Sequence, residues 1–104
     1  MDPFVRRLVE RLFEPDSGLS RNRHFHTFDN EEGRLAIRIS KRLRALAKDI
    51  DECHREGGRP SVSRASGKVR IEIGLSRLKT HRTTTIDEAE YELLLKLPQV
   101  KQAL

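Results

Sequence analysis

Arg34, Arg38, Lys41, Arg42, Arg44 and Lys48 fall within sixteen residues, GRLAIRISKRLRALAK, that contain no acid. Spacings of three and four residues put cations side by side on a helix, where each like-charge pair costs about 0.2–0.5 kcal/mol at low salt. A second set, Lys68, Arg70, Arg77, Lys79 and Arg82, follows further along the chain. The chemistry that such residues offer is non-covalent. Guanidinium and ammonium groups clustered in this way suit a phosphate backbone, which rewards them through counterion release, or an acidic protein surface. The ordinary alternative is a solvated face, neutralised from inside the molecule by Asp87, Glu88, Glu90 and Glu92.

Other residue types offer less. His24, His26, Cys53, His54 and His81 include the ligand types for zinc, but structural zinc sites use paired Cys or His at recognisable spacings, and there is one Cys here. No metal and no cofactor are expected. Gly57-Gly58 and Ser66-Gly67-Lys68 lack a preceding strand and the spacing of a phosphate loop. Serines 61 and 66 each lie two residues after an arginine, a chance-level pattern for phosphorylation. Cations alternate with rings in RNRHFHTF (21–28), where Phe25 and Phe28 read as core anchors rather than stacking platforms. Nothing marks a nucleophile elbow, HExxH or GxGxxG, so no catalytic residue is nominated and the chain is read as a non-enzyme.

These residues need elements to position them. Asp2 and Pro3 suit the cap and first position of a helix whose stripe is Phe4, Val5, Leu8, Val9 and Leu12. Its opposed apolar and basic faces suit a membrane surface, but packing within the molecule explains them better. An irregular linker covers 18–30. Asp29 or Asn30 then caps a long amphipathic helix reaching Gly57. On it Leu35, Ala36, Ile39, Leu43, Leu46, Ala47 and Ile50 share one face, and the six cations lie outside it. Ile37 is the exception, an apolar residue on the cationic side. Residues 57–67 read as a flexible loop. Alternation of Val69, Ile71, Ile73 and Leu75 with Arg70, Glu72 and Gly74 predicts a strand with one buried face. Residues 82–86 form its hairpin partner. Thr85 to Glu88 matches a capping box that opens a C-terminal helix, and Pro98 separates a short last turn.

The expected fold is α+β: short N-terminal helix, long central amphipathic helix, β-hairpin and C-terminal helix, in a single domain over residues 1–104. That helix–strands–helix order resembles double-stranded-RNA-binding modules, with one strand fewer and with the basic stretch away from their usual helix start; no residue is carried across on it.

Composition narrows the class. The net charge is +5 and hydrophobic content 36%, below the usual 45–50% even allowing for the glycine counted in that range. Charge is uneven, with seven cations against one acid over residues 58–86 and two against four over 87–104. The fifteen arginines suit bidentate contact with phosphate or carboxylate. A lone Cys53 permits no internal disulfide and fits a reducing compartment, so a cytoplasmic location is expected, with no membrane span or signal peptide. The leading expectation is an accessory or regulatory protein whose basic surface contacts nucleic acid through phosphates. The second is a protein-interaction module that docks an acidic partner or self-associates as a homodimer through exposed parts of its apolar stripe.

Overall fold

The structure is a computed structural model and describes residues 1–13, 30–77 and 81–104. The element order is α1 (Pro3–Phe13), α2 (Glu31–Arg55), β1 (Ser61–Ala65), β2 (Lys68–Ile73), β3 (Arg82–Asp87), α3 (Glu88–Leu94) and α4 (Pro98–Ala103). This is the expected α+β architecture with one strand more. The linker of 18–29, with Phe25 and Phe28, lies outside the described residues, as do His24, His26 and Lys79. Two compact units divide the chain within α2, Met1–Leu43 and Arg44–Leu104.

In the first unit, Asp2 caps α1. Its Oδ1 accepts the N–H groups of Phe4 at 2.7 Å and Val5 at 3.4 Å, donors that have no partner inside the helix. Val5, Leu8 and Val9 are buried, whereas Phe4, expected in the stripe, is 49% exposed. Asn30 caps α2 and accepts the Gly33 N–H at 2.7 Å. From there Ala36, Ile39, Ser40 and Leu43 are buried. Leu35 is 39% exposed, so it stands at the margin of the face it was expected to share.

The second unit begins with the remaining turns of α2, which bury Leu46, Ala47, Asp49, Ile50 and Cys53. The helix ends where Gly57 takes φ +84. Gly58 N–H then donates to the Cys53 carbonyl at 2.9 Å and Gly57 N–H to that of His54 at 3.0 Å, closing the last turn in the Schellman manner. Residues 57–67 are not a loop throughout, because they contain β1. That strand escapes a reading of periodicity since all five of its side chains are exposed. Only backbone pairing with β2, from Ser61 opposite Glu72 to Ala65 opposite Lys68, makes it a strand. Ser66 and Gly67 form a two-residue turn with φ +53 and +76, the twist that antiparallel partners require.

The three strands run antiparallel in the order β1-β2-β3. Residues directly opposite share a face, and buried Val69, Ile71, Ile73 and Ile86 identify the core side. α3 packs beside β2 and β3 with Tyr91, Leu93 and Leu94 buried, and α4 buries Val100 and Ala103. β3 runs on to Asp87, so the last helical segment opens two residues later than its sequence suggests. Asp87, not Thr85, is the N-cap, and its N–H donates to Glu90 Oε1 at 3.1 Å. Thr85 faces Arg70 across the sheet instead.

Ser66 is the one residue other than glycine with positive φ among those described. Replacing it by Asn, which tolerates that conformation, is expected to raise stability by about 0.5–1 kcal/mol, while Ser66→Val lowers it by more than about 1 kcal/mol. Urea denaturation of the three chains measures both; equal midpoints would show that the turn is unstrained.

Candidate functional site: the cations of the long helix and the sheet

Whether a cation is available to a partner depends on the carboxylates near it, and the second unit uses many of its cations internally. Asp49 lies on the buried side of α2, its side chain 10% exposed. Its Oδ2 accepts Arg82 Nη1 at 2.6 Å and its Oδ1 accepts Arg77 Nη2 at 3.2 Å. Arg77 Nε also meets both oxygens of Glu52 at 3.2 Å. Register explains the reach of Arg82, which stands opposite Ile73 on the core side of the sheet. These two expected contact residues are therefore committed to α2.

Lys68 and Arg64 are matched as well. Lys68 pairs with Asp87 directly across the strands. Arg64 Nε lies 3.4 Å from Glu88 Oε1, and its guanidinium carbon sits 5.0 Å from the centre of the Tyr91 ring, within range of a cation–π contact. Two acids expected to neutralise α2, Asp87 and Glu88, are thus spent on the β1–β2 hairpin. Arg70 differs. Opposite Ser63 and Thr85, it lies on the face away from the core, exposed, with no carboxylate partner among the described residues.

In the first unit Arg34, Arg38 and Lys41 are all exposed, and none is paired with an acid among the described residues. Arg34 and Arg38 line an open depression of about 450 Å³ together with Ile37. Arg42 is exposed but engaged within the molecule, as is Arg44 in the second unit. Lys48, also of the second unit, is exposed and unpaired among the described residues, beside Asp51, Glu52, Arg55 and Arg77. Arg55 itself pairs with Asp51 at 3.1 Å. Of the eleven expected contact residues, then, Arg34, Arg38, Lys41, Lys48 and Arg70 are exposed without an acid partner among the described residues. Lys68, Arg77 and Arg82 are matched internally.

Asp49 belongs to no sequence motif. Its position on the apolar side of a helix, at i+3 from Leu46 and one residue before Ile50, was the available signal. A carboxylate there requires a cationic partner from elsewhere in the fold.

Among the described residues, no three His, Cys, Asp or Glu side chains gather as a metal site, and no helix is long and apolar enough to cross a membrane. The third strand supplies the one by which the chain fell short of double-stranded-RNA-binding modules. However, α3 opens on Glu88 and Glu90, not on cations.

Beyond α2, Glu56 Oε2 accepts the backbone N–H of Ser76 at 3.0 Å. Hydrogen bonds from the Ser76 side chain and backbone hold the Glu56 carboxyl below its ordinary 4.5, with a smaller pull from Arg77 and slight opposition from desolvation. A depressed carboxylate contributes stability above its unfolded pKa and loses it as pH falls through the folded one. The stability gap between the native chain and Glu56→Gln is therefore expected to be present at neutral pH and to close below pH 4.5, as thermal melts across that range would record. A gap constant with pH would refute the linkage.

Asp49→Ala is expected to lower stability by about 2 kcal/mol, within the range for hydrogen bonds to a charged group and moderated by the half-exposed guanidinium groups. Arg77→Met should cost less, because Arg82 still satisfies Asp49. Denaturant titration gives the order, and equal losses would show that the two arginines do not share the carboxylate.

Comparisons with protein-family models, with curated proteins and with solved structures return no match for this chain.

Proposed function

We propose that the protein is a non-enzymatic accessory or regulatory protein of the cytoplasm whose basic surface contacts nucleic acid through phosphates. One observation carries the reading. Arg34, Arg38 and Lys41 stand exposed on successive turns of one helix with no acid partner among the described residues. The acids Asp87 and Glu88, by contrast, are engaged on the hairpin. Unmatched like charges at i,i+4 and i,i+3 oppose helix formation slightly, and an anionic polymer along the helix relieves that repulsion while releasing counterions. Arg70 and Lys48 are further unmatched cations, in the second unit. Lys68, Arg77 and Arg82 are secondary in the contact set, because each already has a carboxylate partner within the molecule.

A second reading, docking of an acidic protein, uses the same three side chains. The 39% exposure of Leu35 beside them favours it, since an apolar margin next to charge is common at protein interfaces. Phosphate contact is the more economical reading because guanidinium groups bind phosphate without a shaped partner surface.

Binding of short DNA and RNA by fluorescence anisotropy over a salt series tests the proposal. Three phosphate contacts predict that log K falls with log salt at a slope of about −2 to −3, and Arg38→Gln should reduce that slope by about 1. Negligible binding of either polymer at ~50 mM salt, where electrostatic attachment is strong, would overturn it. Binding of polyglutamate under those same conditions would then favour the acidic partner.

A further inference from the structure

Ile37 is the residue that charge alone leaves unexplained. It lies outside the buried stripe of α2, only partly covered, between two exposed arginines. Arg34, one turn earlier, and Arg38, its neighbour, line the same open depression of about 450 Å³. That volume falls in the lower part of the roughly 300–1,000 Å³ typical of small-ligand clefts, enough for a ring system rather than a bare ion. A surface built only to follow a phosphate backbone has no use for an apolar side chain beside its two guanidinium groups. A site for a flat, partly apolar ring that carries anionic groups on either side needs that combination.

A nucleotide has this chemistry. Its base is a planar ring that gains from leaving water, and its phosphates complement guanidinium groups. Arginine also lies flat against ring systems more readily than lysine does. In a duplex the bases are stacked and paired, so their faces cannot reach a depression on a helix flank. In an unpaired strand they splay out and are read by stacking and apolar contact.

Resting on the phosphate-contact reading above, we propose that the depression lined, among the described residues, by Arg34, Ile37 and Arg38 seats one unpaired base of a nucleic-acid strand. The base lies against Ile37, and the phosphates on either side of it rest on the two arginines. The surface thereby prefers single strands and exposed loops to uninterrupted duplex. Selectivity comes from the availability of a base, not from its identity.

Three ligands of equal length separate this proposal from the reading beneath it: a single-stranded oligonucleotide, a backbone of the same charge without bases, and a duplex. At ~100 mM salt the single strand is expected to bind at least about fivefold tighter than the base-free backbone, the lower end of what one stacked base contributes. Ile37→Ser should close that gap while leaving the salt slope unchanged, and Ile37→Phe should widen it by offering a ring to stack upon. Because Ile37 is partly buried, circular dichroism and thermal melting establish that each variant folds, and Ile37→Phe alone decides the matter if the serine variant does not. Equal affinity for the single strand and the base-free backbone would overturn the base seat and leave phosphate contact standing, as would a preference for duplex indifferent to Ile37. Absence of binding to all three ligands would overturn both.

Discussion

A half-turn of helix carrying a carboxylate into the apolar side of α2 governs how charge is distributed over the second unit. Asp49 is largely buried, its side chain 10% exposed, and the positions three and four residues away on its own helix hold no cation. It is satisfied by Arg77 and Arg82, which reach it from the far end of β2–β3. A buried carboxylate left alone is costly, so this requirement fixes where the β2–β3 connection lies against the helix. It also removes two arginines from the surface. Glu52 and Glu56 reinforce the same junction through Arg77 and Ser76, and the C-terminal turns of α2 become the place where helix and sheet are joined by polar contacts.

The consequence for function is a division of labour along the cations. Those of the sheet are mostly structural. Lys68 spans to Asp87, Arg64 to Glu88 and Tyr91, and Arg82 to Asp49. Those that stay exposed and unmatched among the described residues are Arg34, Arg38 and Lys41 on α2 of the first unit, Lys48 on its later turns, and Arg70 on the outer face of the sheet. Net charge is a poor guide to this pattern. The most basic stretch, residues 58–86, is where the acids of α2 and α3 are spent, whereas the first turns of α2 look less basic on average and keep their charge.

Much of the scaffold is legible from local signals. Asp2 and Asn30 cap helices because a side-chain oxygen two or three residues ahead of free N–H groups is a short-range interaction. The alternation of Val69, Ile71 and Ile73 marks β2 because one of its faces is buried and the other wet. β1 is illegible for the converse reason. Its side chains face solvent on both sides, so no hydrophobic pattern accompanies it. The start of α3 is ambiguous by two residues in the sequence, because Thr85-x-x-Glu88 and Asp87-x-x-Glu90 are both acceptable caps. Pairing of Thr85 with Arg70 and of Asp87 with Lys68 keeps the chain extended until Asp87 and selects the second.

The chain's order of residues was sufficient to determine its helices, its central strand, the cap of its first helix and the run of cations, since each depends on neighbours a few positions apart. Tertiary structure alone decided which cations remain unmatched. An ion pair such as Asp49 with Arg82 joins groups thirty-three residues apart, and no local spacing reveals that two such charges will meet. The same holds for Ile37, whose place outside the stripe was plain from helical periodicity. Its position in a depression it lines with Arg34 and Arg38 depends on how the surface around it is shaped.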